Sequence, residues 1–429
     1  MNIILRCIKC AKEYSVNKVR YECDCGALLD VIHDIEEIKE KVTKKLFDKR
    51  LGTSKFPYNS GVWRYKELVM PVDNKYIISR PEGNTNLYKS EKIAKYAGIK
   101  YNGLLLKHEG ENPTGSFKDR GMTTGITEAR TLNSKVVACA STGNTSASMA
   151  AFASVGNLKA IVFIPEGKIA YGKLSQALAY GATTIQIRGN FDDAMALVKE
   201  ASLELNLYLL NSVNPFRLEG QKTIIIEMLH QMNWNIPDWI IVPGGNLGNS
   251  SAFGKALNEL KEIGFIEKLP RIAVIQAQGA NPLYLSYLNE FETYIPVKDP
   301  DTIATAIKIG NPVNYIKAVR TIRWTNGVVE QVTENEIMNA KAIIDGAGIG
   351  AEPASCSTIA GLKKLRRNNI IKEDETVCCI LTGNLLKDPD ATVNYHMKKL
   401  EGFDIKYPNE PIVIDADIDS VKKVLSRIL

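Results

Sequence analysis

The chain has 429 residues, 45% of them apolar and 24% charged. These are globular proportions, which exclude a mainly disordered protein, and the length suits two or three domains. Lys and Arg number 54 against 48 Asp and Glu, a net charge of +6 with a pI near 8.7. That mild excess suits small anionic ligands but is not gathered into the basic blocks of a nucleic-acid tail, so no nucleic-acid partner is expected. No run approaches the about 18 apolar residues of a membrane span, and the apolar start Met1–Leu5 is too short for the core of a secretory leader. Eight cysteines are too sparse for a disulfide scaffold. Four crowd the first 25 residues, while Cys139, Cys356, Cys378 and Cys379 sit in apolar runs where buried thiols are usual. A reducing cytoplasm is the expected location.

Residues 1–33 form a cysteine-rich head, with Cys7-Ile-Lys-Cys10 followed by Cys23-Asp-Cys25-Gly26. Two close pairs joined by a short strand-like stretch can bring four thiolates onto one tetrahedral cation, and such a metal supplies folding energy to a core too small to hold itself. A structural zinc on Cys7, Cys10, Cys23 and Cys25 is therefore expected, with free thiols as the alternative. Residues 34–75 read as one helix over Ile35–Phe47 and then an irregular, mostly solvated arm.

From about Lys107 strands alternate with helices. Strands are predicted at Lys135–Ala140, Lys159–Ile164, Thr183–Ile187, Leu207–Leu210, Trp239–Val242 and Ile272–Gln276. Helices are predicted at Arg120–Arg130, Ser146–Ser154, Lys173–Tyr180, Asp192–Leu205, Gln221–Met232 and Ser250–Ile263. This alternation marks an α/β protein with mainly parallel sheets.

Ligands in such sheets sit beyond the carboxyl ends of the strands. Three donor-rich loops are delivered there: Ser141-Thr142-Gly143-Asn144-Thr145-Ser146, Gly244-Gly245-Asn246-Leu247-Gly248-Asn249 and Thr382-Gly383-Asn384. The second opens onto a helix and can cradle a phosphate, without the Lys-Ser/Thr of a nucleotide loop. Lys118 follows a Pro-Thr-Gly-Ser turn and opens a helix. A desolvated lysine is a usable amine nucleophile, and beside a phosphate cradle it suggests a Schiff base to pyridoxal phosphate.

The segments Glu111–Gly121, Ser141–Ser146, Asn211–Thr223 and Leu381–Asp388 resemble the threonine synthase family, tryptophan-synthase-β-like (fold type II) pyridoxal phosphate enzymes. The resemblance runs from about Glu82 to Asp390, and the cysteine head resembles one carried by many bacterial and archaeal members. It implies that Lys118 binds the cofactor and moves protons, and that Asn144 meets its phenolic oxygen. Backbone groups of Gly244, Gly245, Asn246, Leu247 and Gly248 would hold its phosphate, and Thr382 would face its pyridine nitrogen. Ser141, Thr142 and Thr145 would meet the substrate carboxylate, and Asn211, Ser212 and Arg217 the substrate phosphate.

The implied lyase reaction converts O-phosphohomoserine and water to L-threonine and phosphate. It also implies two lobes, the larger from 76–106 and 216–400 and the smaller, 107–215, inserted with Lys118, followed by a tail over 401–429. The assembly considered is a homodimer. Where the family often reads Glu-Gly-Asn-Thr-Pro-Leu, this chain has Asn86 in place of proline. A threonine or serine dehydratase, a cysteate synthase acting on O-phosphoserine and sulfite, and a zinc-headed binding protein on an inactive scaffold are the alternatives.

Overall fold

The computed structural model describes residues 2–167, 171–189 and 191–428. Met1 and Leu429, the ends of the expected head and tail, lie outside the described residues. Strands β1 (Ile3–Cys7), β2 (Glu13–Tyr14) and β3 (Leu29–His33) make an antiparallel head sheet in the order β2-β1-β3.

Two further sheets carry the α/β texture. One holds β4 (Leu87–Tyr88), β5 (Leu104–His108), β10 (Trp239–Pro243), β11 (Arg271–Ala277), β12 (Val328–Val332) and β13 (Val377–Leu381). Its order is β12-β11-β10-β13-β5-β4, parallel except where β4 pairs with β5. The other holds β6 (Val136–Ala140), β7 (Lys159–Pro165), β8 (Thr183–Ile187) and β9 (Tyr208–Leu209) in the all-parallel order β8-β7-β6-β9. Strands β5, β10 and β13 are buried at every position. β10 and β13 are apolar throughout, as suits parallel strands covered on both faces, while β5 ends in the buried Lys107 and His108. The six-stranded sheet also takes Lys107 and His108 from the segment expected in the smaller lobe.

Three expectations need correction. The helix over Ile35–Phe47 is two helices, Ile35–Lys41 and Lys44–Asp48, because the Thr43 hydroxyl accepts from the Leu46 N–H and starts a second helix. The following arm is not a solvated connector: Val62, Trp63, Tyr65, Val69 and Met70 are fully buried. There the Trp63 indole donates to Thr123 Oγ1 at 2.8 Å and fastens the arm to the helix that begins at Lys118. Finally, the predicted helix from Gln221 is preceded by a separate one, Pro215–Gln221, and itself spans Thr223–Gln231. Asn214 caps the added helix by accepting from Phe216 N–H at 3.0 Å, with Pro215 at its first position.

Asn86 also finds its reason. Its backbone N–H donates to Glu111 Oε2 at 2.7 Å, a bond that proline cannot make.

Candidate active site

The turn before Lys118 is tied on two sides. The Asp119 carboxylate accepts from Thr114 N–H at 2.7 Å, Thr114 Oγ1 at 2.6 Å and Ser148 Oγ at 2.5 Å. Phe117 N–H donates to the Thr382 carbonyl at 3.0 Å and Asn384 N–H to the Gly115 carbonyl at 2.9 Å. The lysine turn and the Thr382–Asn384 loop thus form one unit. Beneath them Arg120, fully buried, is paired with Glu109 at 2.6 Å and Glu227 at 2.7 Å, and Lys107 with Glu227 at 2.6 Å. Every charge in this platform has a partner, as burial requires.

Lys118 opens the helix Lys118–Thr131. Its amine is brought down to about 7, first by desolvation and then by the Arg217 guanidinium, with the Glu352 carboxylate opposing. An amine at that value is substantially neutral at physiological pH, the state needed for nucleophilic attack and proton transfer.

Asn144 Nδ2 donates to Glu352 Oε2 at 2.9 Å, and Thr382 Oγ1 lies 3.3 Å from Glu352 Oε1 and 3.0 Å from Ser355 Oγ. Two residues predicted from sequence, Asn144 and Thr382, therefore meet on one buried carboxylate. Desolvation raises the Glu352 carboxyl above its ordinary value, while Asn144, Lys387, Lys118 and Thr382 act the other way. Gly383 has to be glycine here, since a Cβ would sit 2.4 Å from Glu352 Cδ. Sequence reasoning missed Glu352; its one local signal was an acidic residue just before a proline-started helix, Pro353–Arg367, whose carboxylate turns to Asn144 and Thr382 instead of capping that helix.

The glycine loop joins β10 to the helix Gly248–Glu262, with Leu247 left-handed at φ +60°. A Cβ on Gly244 would strike Val274 Cγ1 at 2.7 Å, and one on Gly245 would lie 3.1 Å from the Ala306 carbonyl. Asn246 braces the loop from outside, its side chain accepting from Val313 N–H at 3.3 Å and its carbonyl from Asn314 N–H at 3.2 Å. Gln221 Oε1, Asn249 Oδ1 and Ser250 Oγ are buried near this helix start without a partner. Free first-turn N–H groups and the Ser250 hydroxyl, which can donate, fit a bound phosphate.

The remaining predicted residues divide. Ser141, Thr142 and Thr145 are half-buried at the start of the helix Asn144–Val155, where Ser141 Oγ accepts from Gly143 N–H at 3.3 Å. Asn211 has both ends of its amide on the Ala140 backbone at 3.0 Å, so it holds the end of β6. Ser212 is half-buried, and its carbonyl accepts from Asn314 Nδ2 at 3.2 Å.

Arg217 is 2% exposed. Its Nη1 donates to the Leu210 carbonyl at 2.9 Å, its Nε has no partner, and no carboxylate pairs with it among the described residues. Desolvation lowers it to about 10. Glu219, its nearest acidic neighbour in sequence, is paired with His33, Lys222 and Lys255 instead.

In the head, Cys7 and Cys25 sulfurs are 3.6 Å apart, Cys10 and Cys23 3.5 Å, and Cys10 and Cys25 3.7 Å. Tetrahedral zinc with Zn–S of about 2.3 Å requires sulfurs about 3.8 Å apart. The four thiols therefore fit one such ion. Among the described residues no helix is long and apolar enough to cross a membrane.

Fold and site are together those of a lysine-centred α/β enzyme that holds a phosphorylated cofactor. Residues 78–383 match the family model described as pyridoxal-phosphate dependent enzyme. Over 427 residues, covering 99% of this chain and all of the relative, the sequence is 49% identical to a threonine synthase of Methanocaldococcus jannaschii. It is 45% identical to that of Methanosarcina acetivorans over 98% of each chain. The solved Escherichia coli threonine synthase shares the fold with a TM-score of 0.68 over 99% of this chain and all of that one, at 17% identity. The chain belongs to the threonine synthase family of pyridoxal-phosphate-dependent enzymes.

Proposed function

We propose that this chain converts O-phosphohomoserine and water to L-threonine and inorganic phosphate, and that Arg217 is the cation that receives the substrate phosphate. The observation that carries the assignment is the buried guanidinium, without a carboxylate partner among the described residues, whose influence reaches the Lys118 amine. A dehydratase acting on serine or threonine has no second phosphate to satisfy it.

Lys118 would hold pyridoxal phosphate, Asn144 its phenolic oxygen, Thr382 the ring nitrogen and the Gly244–Gly248 loop its phosphate. When bound, the cofactor withdraws electrons from the substrate carbon skeleton. The chain's own residues do the rest. Lys118 Nζ, neutral near pH 7, takes a proton from Cα and then from Cβ. Ser141, Thr142 and Thr145 present hydroxyls and loop N–H groups to the carboxylate. Ser212 and Arg217 hold the phosphate through departure from Cγ, with Asn211 fixing where their loop leaves the sheet. The two protons return to Cγ, which becomes the methyl carbon, and to Cα. Water adds its hydroxyl at Cβ, and its second proton balances the one taken up by the departing phosphate.

A structural zinc on Cys7, Cys10, Cys23 and Cys25 and a reducing, cytoplasmic setting complete the reading, the latter supported by eight unbridged cysteines. So does the lobe division, with 107–215 inserted between 76–106 and 216–400. A homodimer is the assembly proposed.

The test is product analysis with purified holoenzyme. Threonine and phosphate in equal amounts from O-phosphohomoserine support the assignment. Phosphate release only from O-phosphoserine with sulfite, or ammonia from unphosphorylated threonine, overturns it.

A further inference from the structure

The cysteine-rich head grips the active-site region from two directions. On one side β3 is held by buried charges. Asp30 pairs with Lys317 at 2.9 Å and Arg320 at 2.7 Å, and Lys317 also donates to the Leu29 carbonyl at 2.7 Å. His33 Nε2 lies 2.6 Å from Glu219 Oε2, on the helix Pro215–Gln221 that carries Arg217. The Lys222 and Lys255 ammonium groups fill the rest of this carboxylate cluster, which leaves it no call for a metal.

On the other side the head meets the four-stranded sheet. β9 is its two-residue edge strand, and the Leu209 N–H on its outer side donates to the Tyr21 hydroxyl at 2.6 Å. The Tyr21 ring packs edge-on against Tyr208 with centroids 5.9 Å apart. Tyr21 stands two residues before Cys23, so the thiol knuckle sets where it points.

One grip ends on the helix that carries Arg217, at Glu219 two residues beyond it, and the other beside Leu210, whose carbonyl receives the Arg217 Nη1 and which follows the residue that Tyr21 holds. A short edge strand has little pairing of its own, so a hydrogen bond on its open side constrains where its end lies. We propose that the head positions the Arg217 guanidinium, with Tyr21 and His33 as the positioning residues, and so sets affinity for the phosphorylated substrate without touching it. This rests on Arg217 as the substrate-phosphate cation.

The test uses holoenzyme carrying Tyr21→Phe, which keeps the ring and removes only the hydroxyl. KM for O-phosphohomoserine and the inhibition constant of inorganic phosphate are expected to rise together by about three- to tenfold, the size of one neutral hydrogen bond. kcat and the visible cofactor spectrum stay unchanged. In an Arg217→Lys background the same substitution should add nothing, because its target is gone. His33→Asn releases the other grip and should move the same two constants in the same direction, which keeps the test decisive if Tyr21→Phe folds poorly. If Arg217→Lys raises both constants while the Tyr21 and His33 variants move neither, the positioning role is overturned. An equal Tyr21 effect in both backgrounds overturns it too. Unchanged constants in Arg217→Lys itself would instead overturn the phosphate-site reading on which it rests.

Discussion

Asn144 donates to Glu352 at 2.9 Å across 208 positions of sequence, and this bond joins the Ser141–Ser146 loop to the buried carboxylate that acts on Lys118. It joins the start of a helix in one sheet layer to the cap of a helix in the other. Glu352 also meets Thr382, so a single carboxylate orients the two residues proposed for the phenolic oxygen and the ring nitrogen of the cofactor.

Replacing Glu352 by Ala should therefore loosen both. Leaving Thr382 and Asn144 without this partner costs about 1–3 kcal/mol. Titration of the cofactor-free chain with pyridoxal phosphate, followed by visible absorbance, should show affinity at least about tenfold weaker. Glu352→Gln, which keeps the shape and one acceptor, should recover most of it. Equal binding by the Ala variant would show that Glu352 does not organise Asn144 and Thr382 for the cofactor.

Lys118 has a pH signature that needs no turnover. Its amine is lowered to about 7 in the folded chain by burial and by Arg217, against the ordinary value in the unfolded one. Between those values the unfolded state binds more protons, so this group makes stability rise with pH from about 7 upward; below 7 both states are protonated and the cost of burying the charge is felt in full. Lys118→Met should raise the Tm of the cofactor-free chain most below pH 7, with the gain fading as pH climbs. A gain that is constant across this range would place the amine at its ordinary value.

Arg217→Met should separate function from stability. A buried cation without a carboxylate partner is a burden on the fold, and removing it should leave Tm equal or higher. kcat/KM for O-phosphohomoserine should fall about a hundredfold or more, which is about 2.7 kcal/mol of lost transition-state binding. Cofactor loading should be unaffected. A fall in Tm with kcat/KM preserved would make Arg217 a structural helix residue.

The head should hold about one zinc per chain, as elemental analysis can measure. Strong chelation should lower Tm, because metal binding in so small a core is folding energy. Cys10→Ser should remove the zinc and lower Tm similarly. A chelator that stops turnover at once while Tm is unchanged would place the metal in the chemistry instead.

Much of the fold was readable along the chain because its signals are local. Apolar five-residue runs such as Val136–Ala140 and Trp239–Pro243 stand between turn residues, and the strand at Thr183–Ile187 was predicted with the bounds it has. The Lys118 turn and the glycine loop were readable for the same reason, since each needs particular residue types at adjacent positions. The arm over 34–75 was misread because its charged residues dominate its composition. Its apolar side chains, Phe47, Trp63 and Tyr65 among them, follow no regular period and are buried because other elements close over them.

Lys118, Asn144, Thr382 and Arg217 each stand in a short motif that is legible in the sequence. Which groups they meet was decided only by tertiary structure. Glu352 carries no motif, and its role comes from folding beside Asn144 and Thr382. Asn211 has a motif, yet its amide is held by the backbone of Ala140. The orphaned charge of Arg217 exists because Glu219, two residues on, faces the other side of its helix and is held there by His33, Lys222 and Lys255. Sequence proximity sets which residue types are available; burial and long-range pairing set which charges are neutralised and which stay open to a ligand.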